Sequence, residues 1–169
     1  PRPLGTEPAD RGQPSRTRVV SQTTRVYAAE DTLMFLLDNG GTARLHGSTM
    51  TMPVERRFGD LDGVRRYLQR VRQFPWGHPD LPMPALRVRK GHTKAHWADD
   101  TIALPDGIGE KGWAMREVVV LHEYAHHVVW HLHGITGHGL QFQQVYLDLL
   151  EHAIGAEAAF VVRAGLGNG

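Results

Sequence analysis

The sequence predicts an α+β fold, a small mixed or antiparallel sheet with helices packed against it. Three observations lead there. Short stretches of strand character lie between residues 44 and 104, helical spacing of apolar residues dominates the last third, and one long apolar helix carries five of the eleven histidines. Strands ahead of packed helices, without regular strand–helix alternation, read as α+β.

Residues 1–24 are rich in Pro, Gly, Arg, Thr and Ser and hold almost no large apolar side chain. They bury too little to offset ordering entropy, so an arm is expected, disordered or lying on the surface, with residues 25–169 forming one domain. A helix is predicted over 27–38 from Ala28, Leu33, Met34 and Leu37, stopped by Asn39-Gly40-Gly41. Alternation over 44–53 reads as a single strand. Over 60–74, Leu61, Val64, Tyr67, Leu68 and Val71 share one face, an amphipathic helix whose Arg66 and Arg70 point outward. A Trp- and Pro-bearing loop is expected over 75–84, then strands over 87–90 and 95–104, the latter interrupted at Asp99-Asp100. After a loop over 105–112, residues 113–133 contain no Gly or Pro and end at Gly134, a plausible helix stop. Phe142, Val145, Tyr146, Leu149 and Leu150 recur at three- and four-residue spacing, which predicts a returning helix, and a last segment runs from 157 to 166.

The chain has 169 residues, 41% hydrophobic and 22% charged, with a formal net charge of +1, which suits one soluble domain and gives no whole-chain argument for nucleic acid. Zero Cys excludes disulfides and thiolate-bound metal. No stretch has the apolar core of a signal peptide or the length of a membrane span, so no membrane partner is expected and the cytoplasm is the default compartment.

Six of the eleven histidines fall between 122 and 138. Among them stands His122-Glu123-Tyr124-Ala125-His126, the His-Glu-x-x-His pattern of zinc hydrolases. Positions i and i+4 lie one helical turn apart on one face, so both imidazoles can reach one metal. Glu123 follows the first ligand, where it can take a proton from a water without ligating. Val118, Val119, Val120 and Leu121 before the motif, and Val128, Val129 and Leu132 after it, place these polar groups on a buried helix. There they are costly unless bonded.

A catalytic zinc site needs a third protein ligand. At about 100° per residue, His127 and His131 point away from the His122/His126 face, and His133 lies about 10 Å further along the axis from His126. These three read as supporting or surface side chains. His138 follows a Gly134-Ile135-Thr136-Gly137 turn and opens the returning helix, which places it well to meet the metal. A His six residues after His126 would be another solution, but Leu132 stands there. A Glu from the following helix remains the competing ligand, Glu151 or Glu157, with Asp148 less suited.

The two motifs, His-Glu-Tyr-Ala-His and His138-Gly139-Leu140-Gln141-Phe142, resemble SprT-like zinc metalloproteases, which pair HExxH with a downstream His-Gly-x-x-Phe/Trp. They resemble more closely a group of small HExxH metallohydrolases from actinobacteria and their phages. That likeness extends to Arg25-Val26-Tyr27-Ala28-Ala29-Glu30, to residues 47–58 and to 116–123. It implies a zincin-like fold with an HExxH active-site helix, Zn²⁺ held by His122, His126 and His138, and Glu123 as general base. A peptidase acting on a peptide or protein substrate is the expected function. Competing expectations are a DNA-associated SprT-like protease, a non-peptidase zinc amidase and a metal-stabilised binding module without turnover. For nucleic acid the only hints are the Arg-rich arm and Arg65, Arg66, Arg70 and Arg72, and the Cys module common in SprT-like proteases is absent.

Further expectations concern the surroundings of the metal. Residues 101–104 are the candidate edge strand for an extended peptide, being the last strand before the motif helix. Tyr146, His127 and His96 are candidates for stabilising an oxyanion. Glu117, one turn before His122, either orients the site or faces water.

Overall fold

The computed structural model describes residues 20–106 and 115–167. Helix α1 (Gln22–Asn39) starts earlier than its apolar pattern, because the Ser21 side chain accepts the Thr24 N–H at 3.1 Å and caps it. Gln22, Thr23 and Thr24 are therefore helical and do not belong to the arm; residues 1–19 lie outside the described residues. The expected single strand over 44–53 is instead a hairpin of β1 (Thr42–Leu45) and β2 (Ser48–Thr51). Its turn is His46-Gly47, both at positive φ (48° and 80°), the two-residue geometry that matches strand twist.

Helix α2 (Leu61–Val71) buries Val64, Tyr67, Leu68 and Val71, and Asp60 caps it by accepting the Gly63 N–H at 2.7 Å. Arg66 and Arg70 are exposed, as the pattern predicts. Arg72 is not part of an open basic face. Its guanidinium donates to the carbonyls of Pro79 and Leu81 and pins the following loop, where Pro75–Gly77 makes one 3-10 turn. Gly77 sits there because a Cβ would lie 1.9 Å from the Val71 carbonyl oxygen.

Strands β3 (Ala85–Val88), β4 (His96–Ala98) and β5 (Thr101–Leu104) form a mixed sheet in the order β3-β5-β4. β5 runs parallel to β3 and antiparallel to β4, and Asp99-Asp100 form the β4–β5 turn at φ 48° and 56°. The assignment of 101–104 as the edge strand is thus overturned: β5 is central. Ile102, Ala103 and Leu104 are all but inaccessible, so this continuous apolar run is covered on both faces. The edge beside the motif helix belongs to β4.

Helix α3 (Glu117–His133) passes through the core and is buried nearly all round from Glu117 to Val129. It has no side-chain cap of its own. Glu55 supplies one from outside, accepting the Val118 N–H at 3.0 Å while pairing with buried Arg116 at 2.5 Å. At the other end Gly134 adopts the left-handed conformation (φ 65°). Helices α4 (Leu140–Ala153) and α5 (Ala156–Leu166) return across the core, α4 on α3 and α5 on both α4 and α1. Together the five helices and small sheets make an α+β architecture. No helix among the described residues is long and apolar enough to cross a membrane.

The α1–α5 contact is close. A Cβ at Gly165 would lie 2.6 Å from the Ala29 Cβ, so a larger side chain must push the two helices apart. Gly165→Val is expected to cost about 1–3 kcal/mol of stability. Thermal unfolding reads this as a lowered Tm, and an unchanged Tm contradicts the packing.

Candidate metal centre and its cleft

His122 and His126 project from α3 toward His138, which lies just ahead of α4 and is half-buried. One ligand-type nitrogen from each of the three lies within 4.8 Å of the others. For His122 and His138 these are the Nε2 atoms, 3.1 Å apart. Their Nδ1 atoms are engaged behind them: His122 Nδ1 is 2.6 Å from Glu30 Oε2, and His138 Nδ1 is 3.3 Å from Thr23 Oγ1. A carboxylate accepts from His122 Nδ1–H, which leaves the Nε2 lone pair facing the cluster. Tyr146 Oη donates to the same Glu30 oxygen at 3.0 Å. Phe142, one turn into α4, packs its ring against all three imidazoles.

Burial sets the charge states. It pulls His126 down to about 3, helped by His122, His138 and His96, and pulls His138 down to about 4, helped by His122. Burial acts the same way on His122, but Glu30 outweighs it and the net shift is upward. Neutral imidazoles are the metal-binding form. Glu123 is pushed up to about 7 by burial, with Glu30 adding to the rise and His122 and the Trp97 backbone N–H opposing it.

Glu123, His126 and His138 open onto one cleft of about 670 Å³, walled by β4 on one side and by Tyr27 and Trp130 on others. Tyr27 stacks on His122 with ring centres 5.4 Å apart, and its hydroxyl is held in the protonated form by burial, then by Glu123 and Glu30. His96 lines the same cleft.

Of the sequence-derived candidates, His122, Glu123, His126 and His138 converge. The competing carboxylates do not join them: Glu151 is exposed and 3.7 Å from Arg163, Asp148 pairs with His152 at 3.3 Å, and Glu157 opens α5 outside the histidine cluster. Tyr146 is buried behind the site on Glu30 and cannot meet an oxyanion in the cleft. His127 faces the other side of α3, its Nε2 on the Pro82 carbonyl at 2.8 Å. Glu117 neither orients the three histidines nor faces water: it is fully buried and accepts from the Arg56 backbone N–H and guanidinium at 2.9 and 2.8 Å.

Three contributors come from α1 and were not legible as site residues: Thr23, Tyr27 and Glu30, spaced four and three apart on one helical face. The one signal was Glu30 itself, a carboxylate set between Val26, Ala29 and Leu33 on the apolar face.

Compared with protein-family models, with curated proteins and with solved structures, the chain matches none of them.

Removing the Glu30 charge while keeping its shape should loosen His122 without unfolding the protein. Glu30→Gln is expected to weaken Zn²⁺ affinity roughly 10- to 100-fold. Competition against a chromogenic chelator measures this; unchanged affinity contradicts the orienting role.

Proposed function

We propose that the protein is a zinc-dependent hydrolase, and specifically a peptidase, built on a zincin-like plan. The observation that carries the reading is the meeting of three imidazoles, two of which open with buried Glu123 onto one cleft while the third, His122, is backed by a carboxylate. An all-imidazole donor set with its lone pairs turned inward fits Zn²⁺ among common cations, with His122, His126 and His138 as ligands. Bound there, Zn²⁺ would supply Lewis acidity, making water nucleophilic near neutral pH and polarising the scissile carbonyl.

The chain's own groups then account for the remaining chemistry. Glu123 accepts the proton of the attacking water as the C–O bond forms, and delivers it to the amine nitrogen as the C–N bond breaks. The products are a carboxylic acid and an amine. Tyr27, held protonated, and His96 line the cleft and are the groups suited to donate to the carbonyl oxygen as it gains charge.

A peptide is favoured over a small amide by the cleft wall. Among the described residues β4 pairs with no strand but β5, so its outer edge, apart from the Trp97 N–H that meets Glu123, suits main-chain pairing with an extended chain. Ala95, Trp97 and Trp130 add apolar surface for flanking side chains. With only Arg65, Arg66 and Arg70 left exposed on α2 and Arg72 engaged in a loop, a DNA-directed activity draws less support.

Glu123→Gln is expected to keep its zinc and lose about 10²–10⁴-fold in turnover. The test is cleavage of denatured casein by zinc-loaded protein, followed by mass spectrometry of the fragments. Equal cleavage by Glu123→Gln, or none by the wild type, contradicts the peptidase reading.

A further inference from the structure

A second group of ligand-type side chains sits on the opposite side of α3. His127 and His131 repeat the i, i+4 spacing of His122 and His126, and Asp100 faces them from the β4–β5 turn. One ligand atom from each lies within 4.8 Å of the others. Asp100 Oδ1 is 2.6 Å from His131 Nε2 and 3.5 Å from His127 Nδ1.

The state of His127 follows from its partners. Its side chain is completely buried, and its Nε2 is 2.8 Å from the Pro82 carbonyl, which can only accept. The proton is therefore on Nε2, and Nδ1 is left as an acceptor, engaged by the Trp97 indole N–H at 3.3 Å with Asp100 Oδ1 3.5 Å away. A carbonyl behind one ring nitrogen with the other left as an acceptor is the usual second contact of a metal-ligating histidine. Asp100 lines the main cleft and is half exposed, which gives a cation from solvent a way in.

We infer that Asp100, His127 and His131 form a second divalent-cation site, one that clamps the β4–β5 turn to α3. Two imidazoles and a carboxylate suit Zn²⁺, Co²⁺ or Ni²⁺ rather than Mg²⁺ or Ca²⁺. The clamp fixes the end of β4, and so the wall along which a substrate would lie. One group competes for the site: the Trp97 indole N–H donates to His127 Nδ1 at 3.3 Å and must give way to a cation. This competition supplies a signature that a plain hydrogen-bonded latch lacks.

The full chain, stripped by chelation and titrated with Zn²⁺ in a calorimeter, should take up two equivalents. His131→Ala and the nearly isosteric Asp100→Asn should each take up one, while His133→Ala, on the same helix but outside both clusters, keeps two. Trp97→Phe should tighten the second equivalent by roughly two- to tenfold, because one hydrogen bond no longer has to be broken. Two equivalents retained by both His131→Ala and Asp100→Asn overturn the site, as does a wild type that binds one equivalent lost in His138→Ala. No change in Trp97→Phe also counts against it. Failure of the principal centre looks different: a single equivalent would then bind the wild type, persist in His138→Ala and be lost in His131→Ala.

Discussion

Helix α3 carries polar side chains through an apolar core, and the rest of the structure is arranged to give them partners. Apart from Glu30, the buried acidic, basic and histidine residues among the described residues are Arg116 at its cap and Glu117, His122, Glu123 and His127 along it. Left alone, each would cost several kcal/mol. Arg116 meets Glu55 and Asp38, Glu117 meets Arg56, His122 meets Glu30, and His127 meets Pro82 and Trp97. The partners come from α1, from the 52–58 segment, from the loop after α2 and from β4. Satisfying one helix thus fixes the positions of most of the other elements.

This arrangement explains why the three-histidine cluster depends on residues far away in sequence. Glu30 is 92 positions from His122 and Tyr146 is 116 from Glu30, yet the three form one buried chain from α4 to α1 to α3. The close Gly165–Ala29 approach seats α1 at the distance where Glu30 and Thr23 reach the imidazoles. Packing on the far side of α1 is therefore part of the site's chemistry. The same logic applies to the cleft wall, since β4 is held by β5 on one side and by the contacts of Asp100 and Trp97 with α3 on the other.

Local pattern made helices α1 to α4, the break at Asp99-Asp100 and the candidate residues His122, Glu123, His126 and His138 legible, because each announces itself within one or two turns of chain, whereas 157–166 read only as a last segment and 95–104 as one interrupted strand. What pattern could not reach was pairing at a distance. Glu30 looks like an interruption of an apolar face until His122 is placed opposite it. Glu117 sits one turn before His122 but on another face, and only the Arg56 segment tells where it points. Residues 101–104 resembled an edge strand by their place before α3, although an unbroken apolar run already implied burial on both faces. The hairpin at His46-Gly47 was hidden because alternation continues across it, and a two-residue turn leaves the spacing of side chains almost undisturbed.

Closure of the principal site by His138 rather than by a carboxylate of α4 or α5 is the claim on which the chemistry rests. The direct measurement is the Zn²⁺ affinity of His138→Ala against that of Glu151→Ala and Glu157→Ala, by chelator competition on the full chain. A three-histidine site predicts a loss in His138→Ala of at least the 10- to 100-fold seen when a metal ligand's supporting contact is removed, with both carboxylate variants unchanged. Wild-type affinity in His138→Ala, with the loss appearing in Glu151→Ala or Glu157→Ala, would contradict it.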